Sequence, residues 1–248
     1  MNILDLDDPS TWYKTYKKIV KDDPFGIFIE NALSQKADDE LNNIFQALEN
    51  RVETIESEEL LSFRQRCCES FKKIYTDVIA YHACRPKNVQ SYLSEGIIPA
   101  DTKKLIEEAK IFFNDEETVI KTFKDIMGQQ YLDHGSNKIG FFMSRTGSLE
   151  PGYSHYLEYG SELFQCIANR LGEKALQKLS NQGTPTLFRC VIPVSWLDEF
   201  TTFPMLHSYA LSPLVQFLTR SRWPEKSDDF IRGAFLLKRS LPKEHIID

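Results

Sequence analysis

No apolar run in this chain approaches the roughly 18 residues needed to span a bilayer. The N-terminus, MNILDLDDPS, is acidic and lacks the basic-then-apolar pattern of a secretory leader. Cysteine is sparse: Cys67, Cys68, Cys84, Cys166 and Cys190 make five, and the one close pair is adjacent. An odd count with that spacing argues against a disulfide framework and a Cys-x-x-Cys zinc site. Reduced, mostly buried thiols in a cytoplasmic protein are expected, with no membrane partner. Positive charge is in deficit, 30 Lys and Arg against 36 Asp and Glu, for a net charge of −6. A broad nucleic-acid-binding surface is therefore not implied. Also missing are GxxxxGK[ST], GxGxxG after a strand, HExxH, GxSxG and the Asp-rich calcium loop. These absences remove the common phosphate-loop, dinucleotide-fold, zincin, hydrolase-elbow and EF-hand readings. No metal is expected. What remains is a chain of 248 residues, 42% hydrophobic and 27% charged, able to bury a sizeable core.

The first 77 residues read as a helical N-terminal region, an appendage or lid. Asp7-Asp8-Pro9-Ser10 offers a capping start before the stripe Trp12, Tyr13, Tyr16, Ile19 and Val20. Leu41, Ile44, Phe45 and Leu48 repeat at helical spacing, as do Leu60, Leu61, Phe63, Cys67, Phe71 and Ile74. A second region, 78–248, mixes strands and helices. Residues 78–84, 139–144, 186–194 and 230–237 read as strands. Helices are expected over 89–94 (ended by Gly96), 101–113, 116–132 and 156–171, with a turn-rich loop at 146–152. Residues 206–219 read as helical with an interruption at Pro213. Strands are few and unevenly spaced, so the fold class is α+β, a helical region followed by a small mixed sheet with inserted helices.

The segment Tyr81-His82-Ala83-Cys84-Arg85-Pro86 closes the first of these strands on polar side chains. A short helix follows and ends at Glu95-Gly96-Ile97. This strand–His–x–x–Arg–helix–Glu-Gly-Ile pattern resembles the opening of ADP-ribosyltransferase-like domains. Phe141-Phe142-Met143-Ser144 with Tyr153, Tyr156 and Tyr159 resembles the family's second element, a strand ending in small polar residues with aromatics that stack on nicotinamide. The ending, Gly233-Ala234-Phe235-Leu236-Leu237 through Leu241-Pro242-Lys243-Glu244-His245-Ile246, is similar to the family's last strand and proline turn. The resemblance covers about residues 78–248. It implies NAD as co-substrate and transfer of ADP-ribose to a macromolecular acceptor, protein or nucleic acid. It also implies a toxin or phage-defence setting, in which a partner protein can hold the enzyme inactive.

Carried onto this chain, the resemblance gives His82, Arg85, Ser144 and Tyr156 to the dinucleotide: His82 and Arg85 to ribose and pyrophosphate, Tyr156 to stacking. A departure concerns the acid. The late strand where the family keeps its glutamate has Ser227-Asp228-Asp229 before it and Ile231-Arg232 within it. Glu162, beside the tyrosines, is then the expected catalytic carboxylate together with His82, and Glu225 is the other candidate. The chemistry needs few parts. Nicotinamide is a good leaving group, and a carboxylate stabilises the charge that develops at the ribose. A guanidinium fork pairs with pyrophosphate.

Each residue also has a plain structural reading. His82 fits a strand end satisfied by backbone, Arg85 an ion pair, the tyrosines packing, and Glu162 a first-turn carboxylate favoured by the helix dipole. Cys84 as a nucleophile would need His82, two residues away on the same strand face, as its base. A basic cluster of Arg220, Arg222, Arg232, Lys238 and Arg239 suits a nucleic-acid acceptor or ordinary surface. Two further readings stand beside transfer. One is a non-enzymatic interaction protein with a degenerate transferase-like fold, the other a hydrolase of NAD or a ribosyl phosphate.

Overall fold

The computed structural model describes residues 2–24, 26–27, 58–134, 138–149, 154–201, 205–220 and 233–247. In chain order the elements are β1 (Ile3–Leu4), α1 (Tyr13–Asp22), α2 (Glu58–Ile74), β2 (Asp77–Cys84) and α3 (Val89–Glu95). Next come α4 (Thr102–Phe113), α5 (Glu116–His134), β3 (Ile139–Phe142), α6 (Arg145–Leu149), α7 (His155–Tyr159) and α8 (Glu162–Leu171). The last are α9 (Glu173–Ser180), β4 (Thr186–Pro193), α10 (Trp196–Glu199), α11 (Leu206–Arg220) and β5 (Ala234–Leu237). The architecture is α+β with a small mixed sheet: β1 pairs with β2 in parallel, while β2 with β3 and β3 with β5 are antiparallel. β4 also pairs with β2. No described helix is long and apolar enough to cross a membrane.

The chain divides into two units. The first comprises Met1–Ala80, Met143–Gly147 and Val191–Gly233, and the second Tyr81–Phe142, Ser148–Cys190 and Ala234–Asp248. In the first, α11 packs on α1 and α2. Their apolar stripes bury Trp12, Tyr16, Val20, Phe63, Cys67, Phe71, Tyr209 and Leu214. Burial obliges the tyrosine hydroxyls to find acceptors. Tyr16 donates to the Ala210 carbonyl at 2.7 Å, Tyr75 to Thr11 at 3.0 Å and Tyr209 to Ile79 at 3.2 Å. Asp8 caps the turn Pro9–Thr11 by accepting from the Ser10 amide, and α1 begins after it, at Tyr13. Arg66 on α2 grips Asp23, just past α1, with two bonds of 2.6 and 2.9 Å. Pro213 does not interrupt α11, which runs through it. Leu211 and Leu214 are buried on either side, and packing offsets the one backbone bond that proline removes. The expected helix around 41–48 lies outside the described residues.

The second unit builds its core on helices. Ala109 of α4, Val119 and Phe123 of α5, and Leu163 and Ile167 of α8 form one buried cluster. The turn between α4 and α5 serves both: Asn114, at φ 53°, ends α4 in the left-handed region, and Asp115 accepts from the Thr118 amide at 2.9 Å. Asp101 caps the other end of α4 through the Lys103 amide at 2.8 Å. The helix expected over 156–171 is instead two, α7 and α8, broken at Gly160 (φ 81°). A Cβ at Gly160 would come within 3.0 Å of the Arg85 Cβ, so the break answers a close approach made by a distant residue. The loop expected at 146–152 begins as α6, with the Ser144 hydroxyl accepting from the Gly147 amide. The last strand is described from Ala234, and Leu241 and Ile246 then bridge to Ile97 and Cys190.

Candidate functional site

The second unit holds a cleft of about 750 Å³. Its walls come from the end of β2, α3, one face of α4, β3, α7 and β5, and they bring together His82, Arg85 and Tyr156. Alternation along β2 puts His82 and Cys84 on one face. That face meets Tyr92 of α3, a helix started by Asn88 accepting from the Gln90 amide and ended at Gly96 (φ 89°). A side chain at Gly96 would run into the Leu241 carbonyl, so glycine is required by both space and conformation.

His82 is held by its Nδ1, 2.8 Å from the Gly140 carbonyl. A carbonyl only accepts, so Nδ1 carries the hydrogen and the neutral ring presents Nε2 as an acceptor. Burial pushes the imidazole below its ordinary pKa, with the Gly140 bond opposing, and this favours the neutral form. The ring lies against Tyr92 (centroids 6.2 Å, interplanar angle 25°) and Phe141 (5.6 Å). Tyr92 in turn stacks on Phe188 at 5.1 Å and 15°, and Phe141 on Phe235 at 5.5 Å and 22°. The result is a wall of flat rings suited to a planar ligand.

Arg85 is half-buried and partly committed. Its Nε donates to the Gln182 carbonyl at 2.6 Å and its Nη1 to Leu157 at 3.0 Å. Around it the chain closes tightly. Gly160 abuts its Cβ, a Cβ at Gly183 (φ 66°) would lie 2.6 Å from the Arg85 carbonyl oxygen, and the Thr184 amide donates to Pro86 at 3.0 Å. One guanidinium thus ties the strand end to α7 and to the turn before β4, and its Nη2 has no described partner.

Tyr156 on α7 lines the cleft, edge-on to Phe142 at 6.0 Å. Its hydroxyl reaches Glu162 at 3.4 Å, a long bond. Glu162 itself is exposed at the start of α8 and is not part of the cleft lining. Ser144 lies in the first unit, buried at the start of α6 and outside the cleft lining. Tyr159 lines the cleft with Tyr156, and Tyr153 and Glu225 lie outside the described residues. Of the basic cluster, Lys238 is exposed and Arg239 half-buried after β5, and the side chains of Arg220, Arg222 and Arg232 lie outside what is described. At Cys84, burial pushes the thiol up to about 12 despite a bond from the Tyr92 hydroxyl, which disfavours the thiolate that a nucleophile needs.

The cleft also contains residues that were given no role from sequence. Lys104, Glu108 and Phe112 recur every fourth position of α4 and share its cleft face, and Lys138 sits just before β3. A Lys–Glu pair four apart on a helix normally reads as a solvated face, and nothing local distinguished this one. Among the described residues, no group of three or more His, Cys, Asp or Glu side chains is arranged to hold a metal ion. No family model, no curated protein and no solved structure matches the chain.

Proposed function

We propose that the second unit is an ADP-ribosyltransferase-like domain that takes NAD as its donor and transfers ADP-ribose to a macromolecular acceptor, protein or nucleic acid. The observation that carries this reading is the convergence of His82, Arg85 and Tyr156 on one cleft of about 750 Å³, within the ordinary range for a small-molecule site. The residues fit the donor. His82 offers a ring acceptor to a ribose hydroxyl, and Arg85 keeps Nη2 for a phosphate oxygen. Lys104 and Lys138 add cationic charge, and the aromatic wall accepts a flat ring. NAD supplies the reactive glycosidic bond, and the chain supplies position and charge.

The test is incubation with NAD labelled on its adenylate, beside a thermal shift with unlabelled NAD. Label on a macromolecule supports transfer, and free ADP-ribose alone supports the hydrolase. The absence of both products and of any shift rejects the reading. One observation favours a binding module without catalysis: Glu162, the expected acid, stands outside the cleft lining. A thermal shift with no product would support that alternative.

A further inference from the structure

Given the NAD reading, on which this inference rests, we propose that Glu108 is the catalytic carboxylate of the cleft. It is the one Asp or Glu among the described residues that line it. Its backbone is firmly placed. Asp101 and Asn114 bound α4, and Ala109, with Leu105 and Phe113, packs it into the cluster with α5 and α8. A rigid helix holds a reacting group better than a loop. Lys104, one turn before Glu108, and Phe112, one turn after, line the same cleft, so a cationic and an aromatic residue flank Glu108 along that helix face.

Glu108 forms no ion pair or hydrogen bond with any described residue. Its neighbour Glu107 is bonded to Lys110 at 2.9 Å and takes no part in the lining. Glu108 and Glu162 are both exposed, but Glu162 lies outside the lining and its bond is to the Tyr156 hydroxyl. The step assigned to Glu108 is a displacement at the anomeric carbon of the nicotinamide riboside. The carbon–nitrogen bond breaks and its electron pair leaves with nicotinamide, which becomes neutral. A lone pair on the acceptor's oxygen or nitrogen forms the new bond. The Glu108 carboxylate stabilises the positive charge developing at that carbon and takes the acceptor's proton.

The experiment measures total labelled product, macromolecular label plus free ADP-ribose, from adenylate-labelled NAD, with an NAD-induced thermal shift on the same samples. Glu108→Gln is expected to keep the shift while product formation falls by about 10²-fold or more. Glu107→Gln is expected to keep both. Glu108→Asp, which retains the carboxylate at shorter reach, is expected to fall between wild type and Glu108→Gln, and it stands in if the glutamine variant does not fold. An unchanged rate in Glu108→Gln with an active wild type overturns the assignment and leaves the NAD reading intact. So does loss of the thermal shift in a folded Glu108→Gln, which would make the residue a binding group. A wild type with neither shift nor product overturns the NAD reading, and this assignment with it.

Discussion

The two units treat their polar side chains in opposite ways. In the first, buried tyrosines hand their hydroxyls to backbone carbonyls: Tyr16 to Ala210, Tyr75 to Thr11, Tyr209 to Ile79. Such bonds satisfy the polar atom and fix one element against another, leaving nothing for a ligand. In the second, the Tyr156 hydroxyl reaches an exposed carboxylate at 3.4 Å on the cleft wall, and Lys104, Glu108 and Lys138 line the cleft without an ion pair to any described residue. Arg85 sits between these extremes, two donors committed and Nη2 not. Groups that folding has already satisfied belong to the scaffold, and groups left over at a concave surface are the ones to test for binding.

The largest effect expected from breaking this contrast is in the first unit. Trp12→Ala removes a fully buried ring and should cost about 3–5 kcal/mol, read from the denaturant midpoint. Arg85→Ala comes next. It leaves the Gln182 and Leu157 carbonyls without their donor, at about 1.5–3 kcal/mol, and should also abolish the NAD-induced thermal shift. Arg85→Lys should restore neither fully, because one ammonium cannot reproduce the guanidinium fork. If the shift survives in Arg85→Ala, the residue is purely structural.

A matched pair sharpens the comparison further. Tyr16→Phe should cost about 1 kcal/mol and leave ligand response unchanged, while Tyr156→Phe should leave stability within about 0.5 kcal/mol and weaken the NAD response. Reversal of that pattern would dissolve the distinction between the units. The smallest effect concerns His82. Its folded pKa lies below its unfolded value, so the native state binds fewer protons. Stability from this group is fully present above the unfolded value of about 6.5 and is lost as pH falls below it. His82→Gln should flatten that slope in denaturant titrations made across mildly acidic pH.

Local patterns announced much of the fold. The β-branched run leading to Cys84, the Asn88 and Gly96 stops around α3, and the alternation of β4 all appear in the structure where periodicity and capping place them. What escaped was set by residues far apart in sequence. The break between α7 and α8 falls at Gly160, where Arg85, some 75 positions earlier, leaves little room for a side chain. Pro213 promised an interruption that packing on α1 and α2 overrides. In the cleft, His82, Arg85 and Tyr156 were legible because they flank strand ends and aromatic clusters. Glu108 was not, since Lys104 and Glu108 look like any exposed helical pair until the cleft is seen beside them. Ser144 and Glu162 lie outside the cleft lining, Ser144 accepting from the Gly147 amide at the start of α6 and Glu162 in the first turn of α8.

Along β2, Val78, Ile79 and Ala80 are buried on both faces, and His82 and Cys84 share one face farther on. Side chains alternate along a strand, so a slip of one position would invert both halves together. The Tyr209 hydroxyl on the Ile79 carbonyl therefore acts as an index pin. It holds that stretch of the strand in register against α11. One strand of eight residues thus carries both buried core side chains and the histidine of the cleft.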